Sequence, residues 1–187
     1  VFVTDRTHDY AFNRQEAIGL QAPHLYAIDV HDPKAPRIVG RVPAHGNGSS
    51  IDLQGNKLVA AFIEGVVGPP GVQVFDVTGH VTPLALSEID IPGLPVDISV
   101  GGNVACIATR FAGLQIVEIG DPTQLVGTLS LPGEGIAVAM TGNLAFVGSS
   151  VGSSSALHVV ARATGRRNAY SSCFPYSSSA RTRWVPR

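Results

Sequence analysis

The sequence predicts an all-β fold, because one pattern of short strands and turns recurs three times along the chain. Each unit opens with an alternating apolar strand that closes on an acidic and an apolar residue, at 25–30, 72–77 and 114–119. Each unit also carries a Gly-Asn turn, and these turns begin at residues 55, 102 and 142. A period of about 40 residues filled with short strands is typical of a β-propeller, whose blades have four antiparallel strands.

The second unit shows how four strands fill one blade. Its strands alternate with a period of two, and Pro83 is tolerated because it stands near the start of a strand. A tight hairpin that favours positive φ is expected at Gly102. The four predicted strands of this unit are 72–77, 82–89, 95–100 and 104–109.

We expect one repeat domain over residues 1–161, followed by an irregular or disordered basic tail at 162–187. Propellers close with about 4 to 8 blades. Three near-complete blades therefore predict an incomplete, open propeller, interpreted as a fragment of a larger ring that is poorly soluble as an isolated chain. The predicted parts are a partial blade at 1–5, an insertion at 6–23, blades at about 24–65, 71–110 and 113–150, and the start of another blade at 156–160.

The tail breaks the pattern abruptly. After Val160 the repeat requires an acidic residue and Asp-Pro, whereas residues 162–187 hold six arginines, no acidic residue and no alternating strand. One interpretation is a basic interaction tail. The other is a non-native C-terminus, such as one produced by a reading-frame shift. The loss of the pattern in mid-strand favours this second interpretation.

Composition excludes several classes of protein. Hydrophobic residues make up 44% of the 187 residues, which indicates a folded body. No apolar stretch reaches the roughly 20 residues of a transmembrane helix, so no membrane insertion is predicted. Residues 1–161 hold all 14 acidic residues and 7 of the 13 basic ones, and an acidic body argues against nucleic-acid binding. The two cysteines indicate neither a disulfide framework nor a zinc site.

Two segments resemble the LVIVD repeat, namely GLQIVEIGDP at 113–122 and HLYAIDVHDP at 24–33. The middle unit departs from this pattern, because Thr78-Gly79 stands where Asp-Pro is expected. The resemblance covers about residues 1–160. It implies a β-propeller of a family found mostly in cell-surface or exported prokaryotic proteins, whose molecular role is poorly defined and for which no shared catalytic residues are known.

The repeated turn residues are predicted to be structural. In Asp-Pro the aspartate accepts hydrogen bonds from the turn and the proline presets φ, which caps the first strand of the blade. A metal-ligand role for the aspartates is the alternative. The predicted structural turn residues are Asp32, Pro33, Gly55, Asn56, Gly102, Asn103, Asp121, Pro122, Gly142 and Asn143.

The insertion at 6–23 is the best candidate for a partner-binding site. It lies between a closing strand and the next opening strand, and loops longer than about 12 residues in a compact domain are usually functional or mobile. Tyrosine and arginine are enriched at binding hot spots, and a histidine beside an aspartate can give pH-sensitive contacts. A plain solvated insertion is the alternative. The candidate residues are His8, Asp9, Tyr10, Phe12 and Arg14.

No catalytic residue, metal site or cofactor is indicated. The histidines do not share the spacing of zinc ligands. The glycine-rich segment 46–50 lacks the lysine and the helix of a phosphate loop, and no Gly-x-Ser-x-Gly stands before a helix. The residues considered as metal ligands are His8, His24, His31, His45, Asp5, Asp9 and Asp32.

The sequence favours a non-enzymatic repeat module that binds or scaffolds an unknown protein or glycan partner, at the cell surface or outside the cell. The localisation follows from the resemblance alone, because the chain begins in mid-strand without a methionine and leaves a signal peptide undecided. The alternative is a propeller enzyme of the lactonase or hydrolase kind, with a metal at the central channel. Asp52 and Asp97 would supply carboxylates, and Ala137 is taken as the corresponding position of the third unit.

Overall fold

The computed structural model describes residues 2–4, 23–63, 69–78, 82–161 and 173–174, which form strands and turns. Within these ranges no helix is long and apolar enough to cross a membrane. In chain order the strands are β1 (Phe2–Thr4), β2 (His24–Asp29), β3 (Arg37–Pro43), β4 (Asn47–Gln54), β5 (Lys57–Ile63), β6 (Gly71–Asp76), β7 (Leu84–Asp90), β8 (Leu94–Gly101), β9 (Val104–Arg110), β10 (Gly113–Glu118), β11 (Gln124–Leu129), β12 (Glu134–Thr141), β13 (Leu144–Val151), β14 (Ser154–Ala161) and β15 (Cys173–Phe174).

These strands form four antiparallel sheets, in which neighbours along the chain are also neighbours in space. Sheet I holds β1 to β3, sheet II holds β4 to β7, sheet III holds β8 to β11, and sheet IV holds β12 to β15. Four antiparallel strands joined in sequence are the structure of a propeller blade. The prediction of an all-β, propeller-type fold with four-stranded blades in an open array is confirmed.

The sheets are out of phase with the repeat units of the sequence. The predicted blades at 24–65, 71–110 and 113–150 begin with the strand that closes on an acidic residue. Sheets II, III and IV begin two strands later, at β4, β8 and β12. The predicted start of a further blade at 156–160 lies within β14, the third strand of sheet IV. A periodic sequence fixes the spacing of equivalent strands, but it does not fix which of them share a sheet.

Two other parts of the chain are placed differently from the sequence prediction. β1 pairs with β2, with Thr4 opposite Leu25. The insertion therefore joins two strands of one blade and does not connect two blades, as the sequence order had suggested. In the predicted tail, Cys173–Phe174 forms β15 and pairs with β14 at the edge of sheet IV.

The Gly-Asn turns meet the acidic residues of the repeat. The three glycines have φ between 56° and 63°, as type II′ hairpins require at their first central position. The side chain of Asn56 donates to Asp76 over 3.3 Å, and that of Asn103 donates to Glu118 over 3.2 Å. Each pair links the first hairpin of a sheet to the end of its third strand. In sheet IV, Ala161 occupies the acidic position, so this pair cannot form.

Apolar side chains pack between successive sheets. Neighbouring residues of a strand point to opposite faces, so a strand that is buried along its length needs a sheet on each side. Strands β5 and β6 of sheet II are buried in this way. Their Phe62 and Phe75 pack with Leu25 of sheet I, whereas Val59 and Val74 pack toward sheet III.

The inner strands β4, β8 and β12 contact one another and have a paired strand on one side only. Their free N–H groups therefore need other acceptors. Asp52 Oδ2 accepts from the N–H of Val100 over 2.6 Å, and Ser99 Oγ accepts from the N–H of Met140 over 3.1 Å. The same type of hydrogen bond therefore joins sheet II to sheet III and sheet III to sheet IV, and it is part of the repeat.

Asp97 on β8 connects three sheets. Its Oδ2 accepts from the N–H of Val138 in sheet IV over 2.9 Å. Its Oδ1 accepts from Ser50 Oγ of sheet II over 3.1 Å and from the N–H of Ile98 over 3.0 Å. A half-buried carboxylate with donors from both neighbours fixes the position of sheet III between them.

We expect Asp97→Ala to lower the free energy of unfolding by about 2–4 kcal/mol, because hydrogen bonds to a charged group are lost and partly buried donors are left unsatisfied. Asp97→Asn keeps one carbonyl oxygen, so its cost is smaller. Urea unfolding followed by circular dichroism measures the effect. Asp32→Ala is the control, because Asp32 is exposed and accepts from Lys34 within its own loop. Equal stabilities of Asp97→Ala and Asp32→Ala would contradict the prediction.

Candidate functional site

The candidate binding residues of the insertion belong to a connection whose position the fold defines. The β1–β2 connection of sheet I corresponds to the β9–β10 connection of sheet III. In both sheets it begins at the strand next to the inner-strand position and leads to the strand that lies further out. We call the end of the sheets that carries these connections the loop face. The role of the candidate residues stays a prediction, because the following lie outside the described residues: His8, Asp9, Tyr10, Phe12 and Arg14.

Among the described residues of the loop face, Phe111 is the most exposed large apolar residue. It stands in the β9–β10 turn with 77% of its surface exposed and with φ of 69°. A left-handed backbone is unfavourable for a bulky residue, and such strain is concentrated at functional sites. Gly113 follows with φ of 75°, and a Cβ there would meet the carbonyl oxygen of Leu129 at 2.2 Å. The tight turn therefore holds the aromatic ring away from the sheet.

Arg110 lies beside this aromatic ring in the chain. Its Nε is 3.6 Å from Glu134 Oε2 of sheet IV, and both side chains are about half exposed. An exposed ion pair contributes about 0–1 kcal/mol. The guanidinium can therefore exchange Glu134 for the acidic or carbonyl group of a partner at little cost.

A cavity of about 180 Å³ lies next to Arg110, between sheets II and III. A cavity of about 150 Å³ is large enough to hold benzene, so this one has room for a side chain of similar size. Four of its six lining residues are aliphatic, but its wall is about equally polar and apolar, and a hydroxyl and a guanidinium are among the polar groups. The lining residues are Ser49, Ile63, Leu94, Pro95, Val96 and Arg110.

The carboxylates proposed for a central metal do not occupy equivalent positions. Asp52 is opposite Val59 and corresponds to Ser99, which is opposite Cys106. Asp97 is opposite Ala108 and so corresponds to Ser50, not to Asp52. The prediction that Asp52, Asp97 and Ala137 are equivalent was wrong for Asp52, because only Asp97 and Ala137 share a register position. Counting back from the Gly-Asn turns would have shown this.

His45 and two carboxylates, Glu88 and Asp90, lie close together in an arrangement that the sequence did not predict. His45 Nδ1 lies 3.3 Å from Glu88 Oε2, and His45 Nε2 lies 3.9 Å from Asp90 Oδ1. The main-chain N–H of His45 donates to Gln73 Oε1 over 3.1 Å. Within the described ranges, no group of three or more His, Cys, Asp or Glu side chains is arranged to hold a metal ion.

The turn aspartates contact the backbone nearby. Asp32 Oδ1 accepts from the N–H of Lys34 over 2.9 Å in the β2–β3 connection. Asp29 accepts from the N–H of His31, and this hydrogen bond lowers the pKa of the Asp29 carboxyl. Asp121-Pro122 lies in the β10–β11 connection with a cis peptide bond.

A buried serine–histidine pair lies in sheet IV. Ser149 Oγ donates to the carbonyl of Pro132 over 3.0 Å and lies 2.7 Å from His158 Nε2. The hydroxyl has one proton, so Nε2–H of His158 is the donor to Ser149. Ser149 is 0% exposed and His158 is 2% exposed, which leaves no access for a substrate. Burial lowers the pKa of His158.

The position of His158 is polar in the neighbouring sheets as well. By strand register it corresponds to Gln73 in sheet II and to Gln115 in sheet III, both of which are buried. Gln115 Oε1 accepts from Thr128 Oγ1 over 2.7 Å. The sequence shows Gln73 and Gln115 as the second residues of their opening strands, but it did not show that these polar side chains are buried.

The family model of the LVIVD repeat matches residues 92–130. Residues 92–130 therefore form an LVIVD repeat. The match begins just before β8 and ends just after β11, so the family unit coincides with sheet III. No curated protein matches the sequence significantly.

Two crystal structures of computationally designed proteins are similar in fold to this chain. Ika8 has a TM-score of 0.56 and 13% identity, and the alignment covers 75% of this chain and 40% of Ika8. Ika4 has a TM-score of 0.57 and 12% identity, with 74% of this chain and 79% of Ika4 covered. This chain thus spans less than half the length of Ika8. At such identities the similarity shows the fold alone.

We expect acidification to destabilise the protein through His158. Its folded pKa lies below the 6.5 of an ordinary histidine, so the unfolded state binds the proton more tightly. The stability that neutral His158 contributes is present above pH 6.5 and is lost as the pH falls from there through the folded pKa. Urea unfolding between pH 7.5 and 5 should show a smaller loss for His158→Gln, which carries the side chain found at Gln73 and Gln115. Identical pH dependence of the two proteins would show that His158 is not responsible.

Proposed function

We propose that this protein is a non-enzymatic binding module that presents its loop face to a protein or glycan partner. The observation that carries the proposal is Phe111, an aromatic residue that is 77% exposed in a left-handed turn. Left-handed backbone at a non-glycine residue costs about 1–3 kcal/mol. The two-residue β9–β10 hairpin requires this positive φ, but it does not require an aromatic residue, since glycine fits the same backbone better. Contact with a partner explains why an aromatic residue stands there.

The surroundings of Phe111 suit recognition. Aromatic residues and arginine are enriched at interfaces, and Arg110 precedes Phe111 in the chain. The cavity beside Arg110 offers a recess for one partner side chain. β1 ends and β2 begins at the loop face, so Tyr10 and Arg14 of the insertion between them would extend the surface.

The carboxylates of the inner strands already take part in contacts that hold the sheets together. The Asp52 and Asp97 carboxylates accept hydrogen bonds from the backbone of the next sheet. Variation is therefore left to the connections, which is where propellers and other rigid scaffolds carry their functional residues. The resemblance to exported and cell-surface proteins supports a location at the cell surface or outside the cell.

Replacement of Phe111 by glycine separates a binding role from a structural one. Phe111→Gly removes the ring and relieves the positive φ, so we expect unfolding stability to be unchanged or raised by up to about 1 kcal/mol. The immobilised full chain is incubated with a cell-surface extract, and retained proteins and glycans are quantified by mass spectrometry. Phe111→Gly should reduce retention of the specific partner at least tenfold. Leu84→Ala, at a residue 63% exposed on β7, is the control and should retain it.

Equal retention by the wild type and by Phe111→Gly would overturn the assignment of the loop face. A shortened variant, in which a Gly-Ser link replaces residues 6–23, tests whether the insertion extends the surface, because it should retain less partner with the blades still folded. If its retention equals that of the wild type, the insertion does not contribute to binding. Stoichiometric metal in the purified protein together with hydrolysis of a lactone or ester would instead favour an enzyme.

A further inference from the structure

The outer strands of sheets I and II expose apolar side chains at equivalent positions. Val39 on β3 and Leu86 on β7 correspond by strand register, and they are 40% and 49% exposed. Ile38, beside Val39, is 64% exposed. These residues lie toward the end of the strands that is remote from the loop face. Contiguous apolar groups at a surface often mark an interaction site.

The same two strands carry opposite charges closer to the loop face. Arg41 on β3 and Glu88 on β7 also occupy equivalent positions, and both are exposed. Arg37 adds a second positive charge to β3, which has no acidic residue, and Asp90 adds a second negative charge to β7, which has no basic residue. We call β3 the basic rim and β7 the acidic rim.

Contacts within the chain leave these charges accessible. The guanidinium of Arg37 lies 3.3 Å from Asp29 Oδ2, and the Arg37 side chain is 77% exposed. Glu88 Oε2 lies 3.3 Å from His45 Nδ1, and the Glu88 side chain is 58% exposed. Ion pairs at such exposed positions are weak, so they do not prevent contact with a charged group of another molecule.

The outer strand of sheet III lacks this pattern of charge. β11 holds no charged residue, and Thr128 occupies the position that corresponds to Arg41 and Glu88. Leu125 and Val126 on β11 are exposed, as are their equivalents in sheets I and II. Among the outer strands β3, β7 and β11, the paired charges are therefore specific to sheets I and II.

We propose that this protein forms a dimer in which the basic rim of each copy contacts the acidic rim of the other. A two-fold axis parallel to the strands keeps equivalent positions at the same height. Arg41 of one copy therefore faces Glu88 of the second copy, and this contact is made twice. At the other end of the rims, Val39 faces Leu86. Such an isologous interface is complete with two copies.

Charge selects this arrangement over the other two-fold arrangement. An axis perpendicular to the strands would set each rim against the same rim of the second copy, so that like charges would meet. Like charges at an interface are strongly unfavourable, whereas complementary charges fix the register of two partners.

The parallel axis has a consequence for the binding module proposed above. It makes both loop faces point in the same direction, so the two copies can bind one surface at the same time. The dimer itself does not depend on the proposed partner, and its test needs none.

The experiment measures the mass of the full chain by light scattering coupled to size-exclusion chromatography. The wild type should have twice the 19.5 kDa mass of one chain. Arg41→Glu and Glu88→Arg should each halve this mass, because like charges then meet at both contacts, and each should leave the circular dichroism spectrum unchanged.

The apolar part of the rims has a matched control in sheet III. Ile38 and Leu125 occupy equivalent positions on β3 and β11, but only β3 lies in the proposed interface. Ile38→Glu should therefore give a monomer, whereas Leu125→Glu should stay dimeric. A monomeric Leu125→Glu would overturn the proposal, because it would place sheet III in the interface.

Exchange of the charges provides a second measurement. The double variant Arg41→Glu/Glu88→Arg restores opposite charges at both contacts, so we expect it to be dimeric. An equimolar mixture of Arg41→Glu with Glu88→Arg should form heterodimers, because both contacts then join opposite charges. The proposal is overturned by a wild type of any other mass, by dimers of the single rim variants, or by failure of either exchange to restore the dimer.

Discussion

A blade of this protein has two apolar faces and can bury them only against other blades. Strands β5 and β6 show the constraint directly, since Phe62 and Phe75 face one neighbour while Val59 and Val74 face the other. Repeat proteins of this kind gain stability from each interface between units. The order of the sheets and the lack of a central core within any single described sheet both follow from this constraint.

Stacking creates a second requirement at the inner strands, which have unpaired backbone groups along one edge. Side-chain oxygens of the preceding blade satisfy them, as Asp97 does for Val138. These carboxylates accept hydrogen bonds from the backbone of the next blade, and they thereby fix the position of neighbouring blades relative to each other. Polar residues near the centre of a propeller are often the first candidates for chemistry, but here the described ones support the frame.

The connections are free of this requirement and differ from sheet to sheet. The β13–β14 hairpin has glycine at its positive-φ position, Gly152, whereas the β9–β10 turn has Phe111 at positive φ. The same frame therefore tolerates a strained aromatic residue at one connection. The glycine that follows, Gly113, is fixed by its close approach to the Leu129 carbonyl. The contacts between blades and the exposed connections are thus encoded by different parts of the repeat.

The sequence by itself determined the strands and turns, because alternation and positive-φ glycines are local properties that recur with the repeat. It placed β6 to β9 to within about two residues and predicted the hairpins at Gly55, Gly102 and Gly142. Two of the features that it missed are Phe111 and the pair of Ser149 and His158. Phe111 is a strained, exposed residue in a turn otherwise suited to glycine or asparagine, and the pair of Ser149 and His158 joins residues of adjacent strands.

Only the tertiary structure decided which strands share a sheet and which polar residues meet. The phase of the blades depends on pairing between β5 and β6, which cross the boundary of the sequence unit. The hydrogen bonds of Asp97 join it to Ser50 and to Val138, which lie 47 and 41 residues away in the chain. A pattern that repeats along the sequence does not specify such contacts, because they form only when the sheets pack on one another.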